Sequence, residues 1–129
     1  LVSNEDHPHG LTNEEYNRIF TKDKPIIFAF HGYPSLIHQL TYKRYNQNLH
    51  VHGYIEEGTI TTPFDMRVVN KLDRYHLILD VLKYAKLKND KRKALIKKCE
   101  DILNYHYYYI RENGVDIPEV TNFKWIDKK

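Results

Sequence analysis

At 129 residues, with 41% hydrophobic and 29% charged side chains, the chain is sized for one globular domain, residues 1–129, built on one core. Its net charge of +3 is too small to imply nucleic acid by itself, and its longest apolar run, Pro25 to Phe30, is far too short to cross a membrane. A single cysteine, Cys99, excludes an internal disulfide framework and fits a reducing compartment, so with no leader at the start a cytoplasmic location is expected.

Residues 1–11 are polar, carry Pro and Gly, and read as a loop. Thr12 stands three residues before Glu15, the spacing of a capping box, which predicts a helix over Asn13 to Phe20. Pro25 to Phe30 is apolar at every position, as a strand covered on both faces would be. It ends at His31-Gly32-Tyr33-Pro34, where Pro34 suits the first turn of a helix running to about Tyr45.

A second strand is predicted from Leu49 to Tyr54, with Leu49 and Val51 on one face and His50, His52 and Tyr54 on the other. After a turn, Thr62 is placed as an N-cap, with Pro63 at the first helical position and Asp65 reaching back at the third. Asp73 is placed to cap the next helical segment, through Leu77, Val81 and Leu82. A long helix follows from Asp90 to Glu112, with Asn89 as its cap and Asn113-Gly114 as its stop, and residues 115–129 read as an irregular tail. Strand, helix, strand, helix with short links is an α/β pattern with a mainly parallel sheet. Ile27, Phe28, Phe30, Leu36, Leu40, Val51, Phe64, Val68 and Leu79 are the expected core.

The densest chemistry lies in HVHGYIEEGTITTPFD, His50 to Asp65. His50 and His52 share a strand face and offer two ligands, whereas a zinc site needs at least three from the protein. Glu56 and Glu57 are neighbours on a strand end, point opposite ways and form no acid/base dyad. Cys99 sits among lysines, a setting that can lower its pKa, but no histidine stands at helical spacing beside it. The lysine- and tyrosine-rich segment Lys86 to Arg111 offers an alternative reading, an independent binding module for RNA or another anion. No catalytic, cofactor-binding or metal-binding set emerges from the residues themselves.

Four blocks, HPHGLT (His7 to Thr12), KPIIFAFHGYPSLIHQLTYKR (Lys24 to Arg44), HVHGYIEEGTITTPFDM (His50 to Met66) and YIRENGVDIPEVTNFKW (Tyr109 to Trp125), together resemble the C-terminal domain of phosphoketolases acting on xylulose 5-phosphate and fructose 6-phosphate. The resemblance implies a three-layer α/β domain of the transketolase C-terminal type, lacking its first strands. It also implies that thiamine diphosphate and Mg²⁺ are held by upstream domains of a homodimeric or larger enzyme, with none bound by this chain. The domain is then structural or regulatory, without nucleic-acid or membrane partners. Ligands of open α/β sheets sit beyond the carboxyl ends of the strands. A ligand rim is therefore expected at His31, Gly32 and Tyr33 and at Glu56, Gly58 and Thr59.

Overall fold

A computed structural model describes residues 1–55, 58, 60–85 and 90–124. Its backbone gathers into two compact units, residues 1–56 and 57–129. The fold is α/β and helix-rich, with a small parallel sheet.

The first unit begins with a folded loop in which Ser3 and Leu11 form an isolated parallel bridge. Helix α1 (Asn13–Phe20) starts on the expected capping box: the Glu15 N–H donates to Thr12 Oγ1, and the Thr12 N–H donates back to Glu15 Oε2 at 2.8 Å. Strand β1 (Ile26–Ala29) pairs in parallel with β2 (Leu49–His52), Ile26 opposite Leu49 and Ala29 opposite His52. Both expected strands are thus present and share one sheet. Between them runs α2 (Pro34–Thr41), which stops four residues before Tyr45. The Gln47 amide donates to the carbonyls of Thr41 and Arg44, satisfying acceptors that a further helical turn would have used.

Arg44 holds this unit together. It is 3% exposed, and its guanidinium donates to the carbonyls of Leu1, Val2 and Leu11 and to Asn13 Oδ1, at 2.8 to 3.2 Å. Its carbon also lies 4.5 Å from the centroid of the buried Tyr16 ring. Buried Asn46 acts similarly on a smaller scale: its amide donates to the Lys24 carbonyl at 2.9 Å and its oxygen accepts from the Asn48 N–H. The segments leading into β1 and β2 are thereby tied to each other.

The second unit contains α3 (Pro63–Val69), α4 (Arg74–Tyr84), α5 (Asp90–Asn113) and α6 (Pro118–Thr121). Asp73 caps α4 as expected, accepting from the N–H groups of Tyr75 and His76. Helix α5 stops at Gly114, whose φ of 68° favours glycine and whose N–H donates to the Ile110 carbonyl. The expected cap Asn89 lies outside the described residues. Within the tail expected to be irregular, Pro118–Thr121 form the short helix α6, with Pro118 at its first position and Ile117 as N-cap, and residues 125–129 lie outside the described set.

The expected core needs correction. Leu36 is 47% exposed, and the other eight residues are half-buried. The buried apolar residues are Tyr16 and Ile37 in the first unit, and Tyr75, Leu82, Cys99, Ile110 and Ile117 in the second. On α2, Ile37 and Thr41 lie one turn apart and face inward, which rotates Leu36 outward. A sheet of two strands also cannot bury both faces of an all-apolar segment, so Ile27, Phe28 and Val51 remain partly open.

Two outcomes follow for stability. Replacing Arg44 by Lys keeps the charge but loses the planar fork, leaving buried carbonyls without donors. The expected cost is about 2–3 kcal/mol, read as a lower urea midpoint at unchanged slope. Glu15 is held below the usual carboxylate range, chiefly by the backbone N–H of Thr12 and then by its hydroxyl. A depressed folded value means its stabilisation is present above the unfolded pKa and lost as pH falls through the folded one. The melting-temperature gap between wild type and Glu15→Gln should therefore close on acidification from about pH 7 to about pH 3. A gap of constant size across that range would remove the capping carboxylate from the account.

Candidate functional site

Of the expected rim, the first half assembles at the end of β1. His31 and Tyr33 are exposed on either side of half-buried Gly32. The Gly32 carbonyl accepts from the Tyr54 N–H at 2.8 Å, carrying the parallel ladder past the regular strands. Tyr54, which was not among the expected site residues, places its ring 5.6 Å from that of His31, edge to face. The strand alternation puts Tyr54 on the face of His50 and His52, and the parallel register brings it to His31. Gly53 makes the approach possible: a Cβ there would sit 2.3 Å from the Gly32 oxygen and 2.7 Å from Pro34 Cδ. Of the other half, Glu56 and Thr59 lie outside the described residues. Gly58 belongs to the second unit, with a φ of 71° and open space where a Cβ would be.

Of the histidine pair, His50 is engaged locally. His50 Nε2 lies 3.0 Å from Asn48 Oδ1, and among the described residues no group of three or more His, Cys, Asp or Glu is placed to hold a metal ion. Cys99 is a correction. It is 2% exposed, and burial first and the Asp73 carboxylate second push its thiol pKa up, so its environment opposes the thiolate. The lysines of its own helix face water and have too little effect to reverse this.

A polar cluster that sequence reasoning missed lies inside the second unit. Thr62 caps α3, its hydroxyl oxygen accepting from the Asp65 N–H at 3.1 Å. The Asp65 side chain does not reach back to the cap as expected. It accepts from the Thr61 hydroxyl at 2.7 Å on one oxygen and from His106 Nε2 at 3.0 Å on the other. His106 is 1% exposed and packs edge-on against Phe64, with ring centroids 5.1 Å apart. A carboxylate only accepts, so the imidazole proton sits on Nε2. Nδ1 is buried and without a hydrogen-bond partner among the described residues. The Thr62 hydroxyl also donates to Asp116, which ties the loop before α6 to the start of α3. Nothing in the sequence pairs positions 65 and 106, which are 41 residues apart.

Burial decides what this cluster can do. A histidine closed off from solvent cannot meet a substrate, so the Asp65–His106 pair fixes α3 against α5 rather than moving protons for a reaction. Within the Lys86 to Arg111 segment, residues 86–89 lie outside the described set. The tyrosines of α5 associate with their own helix: Tyr105 and Tyr109 pair at 5.5 Å, and the Arg111 guanidinium stacks 3.3 Å from the Tyr107 centroid.

Comparison with known proteins identifies the setting. The family model described as XFP C-terminal domain matches residues 1–125. A probable phosphoketolase of Clostridium acetobutylicum is 56% identical over 125 residues, covering 97% of this chain and 16% of its own length. One from Pediococcus pentosaceus is 52% identical over 127 residues, covering 98% and 16%, and probable phosphoketolase 2 of Rhizobium meliloti is 54% identical over 121 residues, covering 93% and 16%. The chain thus spans about one sixth of the length of the curated relatives it matches. It belongs to the XFP C-terminal domain family, that of the phosphoketolases.

The double role of Thr62 sets a test of scaffold against site. Thr62→Ala removes both the cap acceptor and the hydroxyl donated to Asp116, and should cost about 1–2 kcal/mol. Thr62→Ser keeps both and should restore most of the loss. In the full-length protein kcat/KM should be unchanged in either variant. Activity lost at an unchanged melting temperature would instead assign the stretch to an active site.

Proposed function

We propose that this chain serves as the C-terminal domain of a thiamine-diphosphate-dependent phosphoketolase. The whole enzyme would convert xylulose 5-phosphate or fructose 6-phosphate, with inorganic phosphate, into acetyl phosphate, water and glyceraldehyde 3-phosphate or erythrose 4-phosphate. The observation that carries this reading is the family match over residues 1–125, joined to relatives named as phosphoketolases in which the matching stretch is 16% of the length.

Thiamine diphosphate, when bound, supplies the stabilised carbanion that carbon–carbon cleavage of a sugar phosphate needs. The described residues do not fit it or its Mg²⁺. They include no cluster of carboxylates and histidines placed for a metal, and the sequence has no Gly-rich phosphate loop. We therefore assign both to upstream domains of the same polypeptide, in a cytoplasmic homodimer or higher homo-oligomer. The part left to this chain is scaffolding and, at the His31–Tyr33 end of the sheet, ligand sensing. The lone free cysteine fits a reducing compartment, and no helix among the described residues is long and apolar enough to cross a membrane. The alternative of an RNA-binding module on the Lys86 to Arg111 helix gains no support from relatives named as phosphoketolases.

Acetyl phosphate trapped as its hydroxamate tests the proposal. The full-length protein, given either sugar phosphate, inorganic phosphate, thiamine diphosphate and Mg²⁺, should form it, and this chain alone should not. Calorimetric titration of the chain with thiamine diphosphate and Mg²⁺ should show no binding heat. Turnover by the chain alone, or none by the full-length protein, would overturn the assignment.

A further inference from the structure

Beside the Asp65–His106 pair, α3, α4 and α5 enclose a groove of about 350 Å³ whose floor includes Val68 and Leu103. Its polar lining comes from Asp65, His76, Asn104, Tyr107 and Arg111. These groups are not equivalent. The Asp65 carboxylate is engaged on both oxygens, by Thr61 and His106, and the cation of the lining is Arg111. His76 is anchored through Nδ1 to the buried Asp73 carboxylate, which fixes the proton on Nδ1 and leaves Nε2 as its outward nitrogen.

Arg111 is also held in place from behind. One guanidinium N–H donates to the Tyr107 carbonyl at 2.8 Å, and the plane lies over the Tyr107 ring. Among the described residues, its other N–H groups, the Asn104 amide and the Tyr107 hydroxyl have no hydrogen-bond partner. A pre-oriented cation, a tautomer-fixed imidazole, an amide and a phenol thus border one groove with an apolar floor. Arg111, Asn104 and Tyr107 supply the donors that recognise an anionic head on a short carbon skeleton, whereas His76 Nε2, in the tautomer fixed by Asp73, accepts.

We infer that the α3–α4–α5 groove is a binding site for a small organic anion, a carboxylate or phosphate ester held by Arg111, with Asn104 and Tyr107 donating the remaining hydrogen bonds, His76 Nε2 placed to accept from a ligand hydroxyl, and Val68 and Leu103 covering its carbon skeleton. The site is separate from the sheet-end rim and does not depend on the phosphoketolase reading.

Arginine footprinting on the full-length protein tests it, because peptide mapping reads Arg111 apart from every other arginine. The rate of Arg111 modification by phenylglyoxal is measured with glycerol 3-phosphate, succinate or inorganic phosphate, each matched in ionic strength with chloride. At about ten times its dissociation constant, the preferred organic probe should slow modification about tenfold, well beyond inorganic phosphate. Whether glycerol 3-phosphate or succinate protects distinguishes the two sources of the anion. Asn104→Asp, at an exposed position, places a competing carboxylate in the groove and should abolish the protection. Equal rates with all probes, protection by inorganic phosphate as strong as by either organic anion, or protection that survives Asn104→Asp would each overturn the site.

Discussion

Arg44 is a cation without a carboxylate partner among the described residues, sealed inside a unit of about fifty residues. Moving a charge out of water is expensive, and only near-complete hydrogen bonding makes it tolerable. The chain meets this demand with backbone carbonyls from Leu1, Val2 and Leu11, one Asn side-chain oxygen and the face of Tyr16. Each acceptor must be where it is for the guanidinium to be buried, so the loop at residues 1–11, the start of α1 and the exit from α2 are positioned by one side chain. The Lys43–Asp6 ion pair adds a second, more exposed tie between the same two segments.

The second unit follows the same rule with the signs reversed. Asp73, 2% exposed, gives its oxygens to the start of α4 and to His76, and Asp65 gives its own to Thr61 and His106. Cys99 is a core residue and not a nucleophile because burial first, and the Asp73 carboxylate second, push its thiol pKa up. Among the described residues, buried polar side chains outnumber apolar ones four to two in the first unit, whereas the second has two polar to five apolar. In the first unit, two short helices and two strands provide limited apolar surface, so directional bonds take over much of the task of specifying one arrangement.

This division explains what could be read from the sequence. Thr12 with Glu15, Thr62 with Pro63, and Asp73 are local signals, complete within four residues, and their helices start where expected. The all-apolar Ile26 to Phe30 and the alternating Leu49 to Tyr54 likewise announced two strands, and the parallel pairing followed from the helix between them. What was hidden is non-local. The acceptors of Arg44 are mostly main-chain oxygens, which every residue has and no sequence pattern marks. The Asp65–His106 bond joins positions with no shared motif, and it diverted Asp65 from the capping role its spacing suggested. The end of α2 was overrun because Gln47, beyond the helix, satisfies the carbonyls that would have carried it on. At the strand ends, His31 to Tyr33 stand just past β1 as the strand reading implied, and the extended ladder brings Tyr54 to them.

The stretch from His50 to Asp65 shows how a segment rich in catalytic residue types is told apart from a site. His50 pairs with Asn48, Gly53 admits the Gly32 carbonyl, Thr62 receives the first N–H groups of α3, and Asp65 is filled by Thr61 and His106. Each of these groups is engaged by the fold itself, and a group so engaged has little left to offer a reactant. The side chains with unused capacity are elsewhere, on the faces of α4 and α5 that carry His76, Asn104, Tyr107 and Arg111. Residue type nominates a site, but unsatisfied hydrogen-bonding capacity in a groove open to solvent is what binds. By that criterion, the polar groups named from this stretch are committed to the fold, and the open capacity of the second unit lies on α4 and α5.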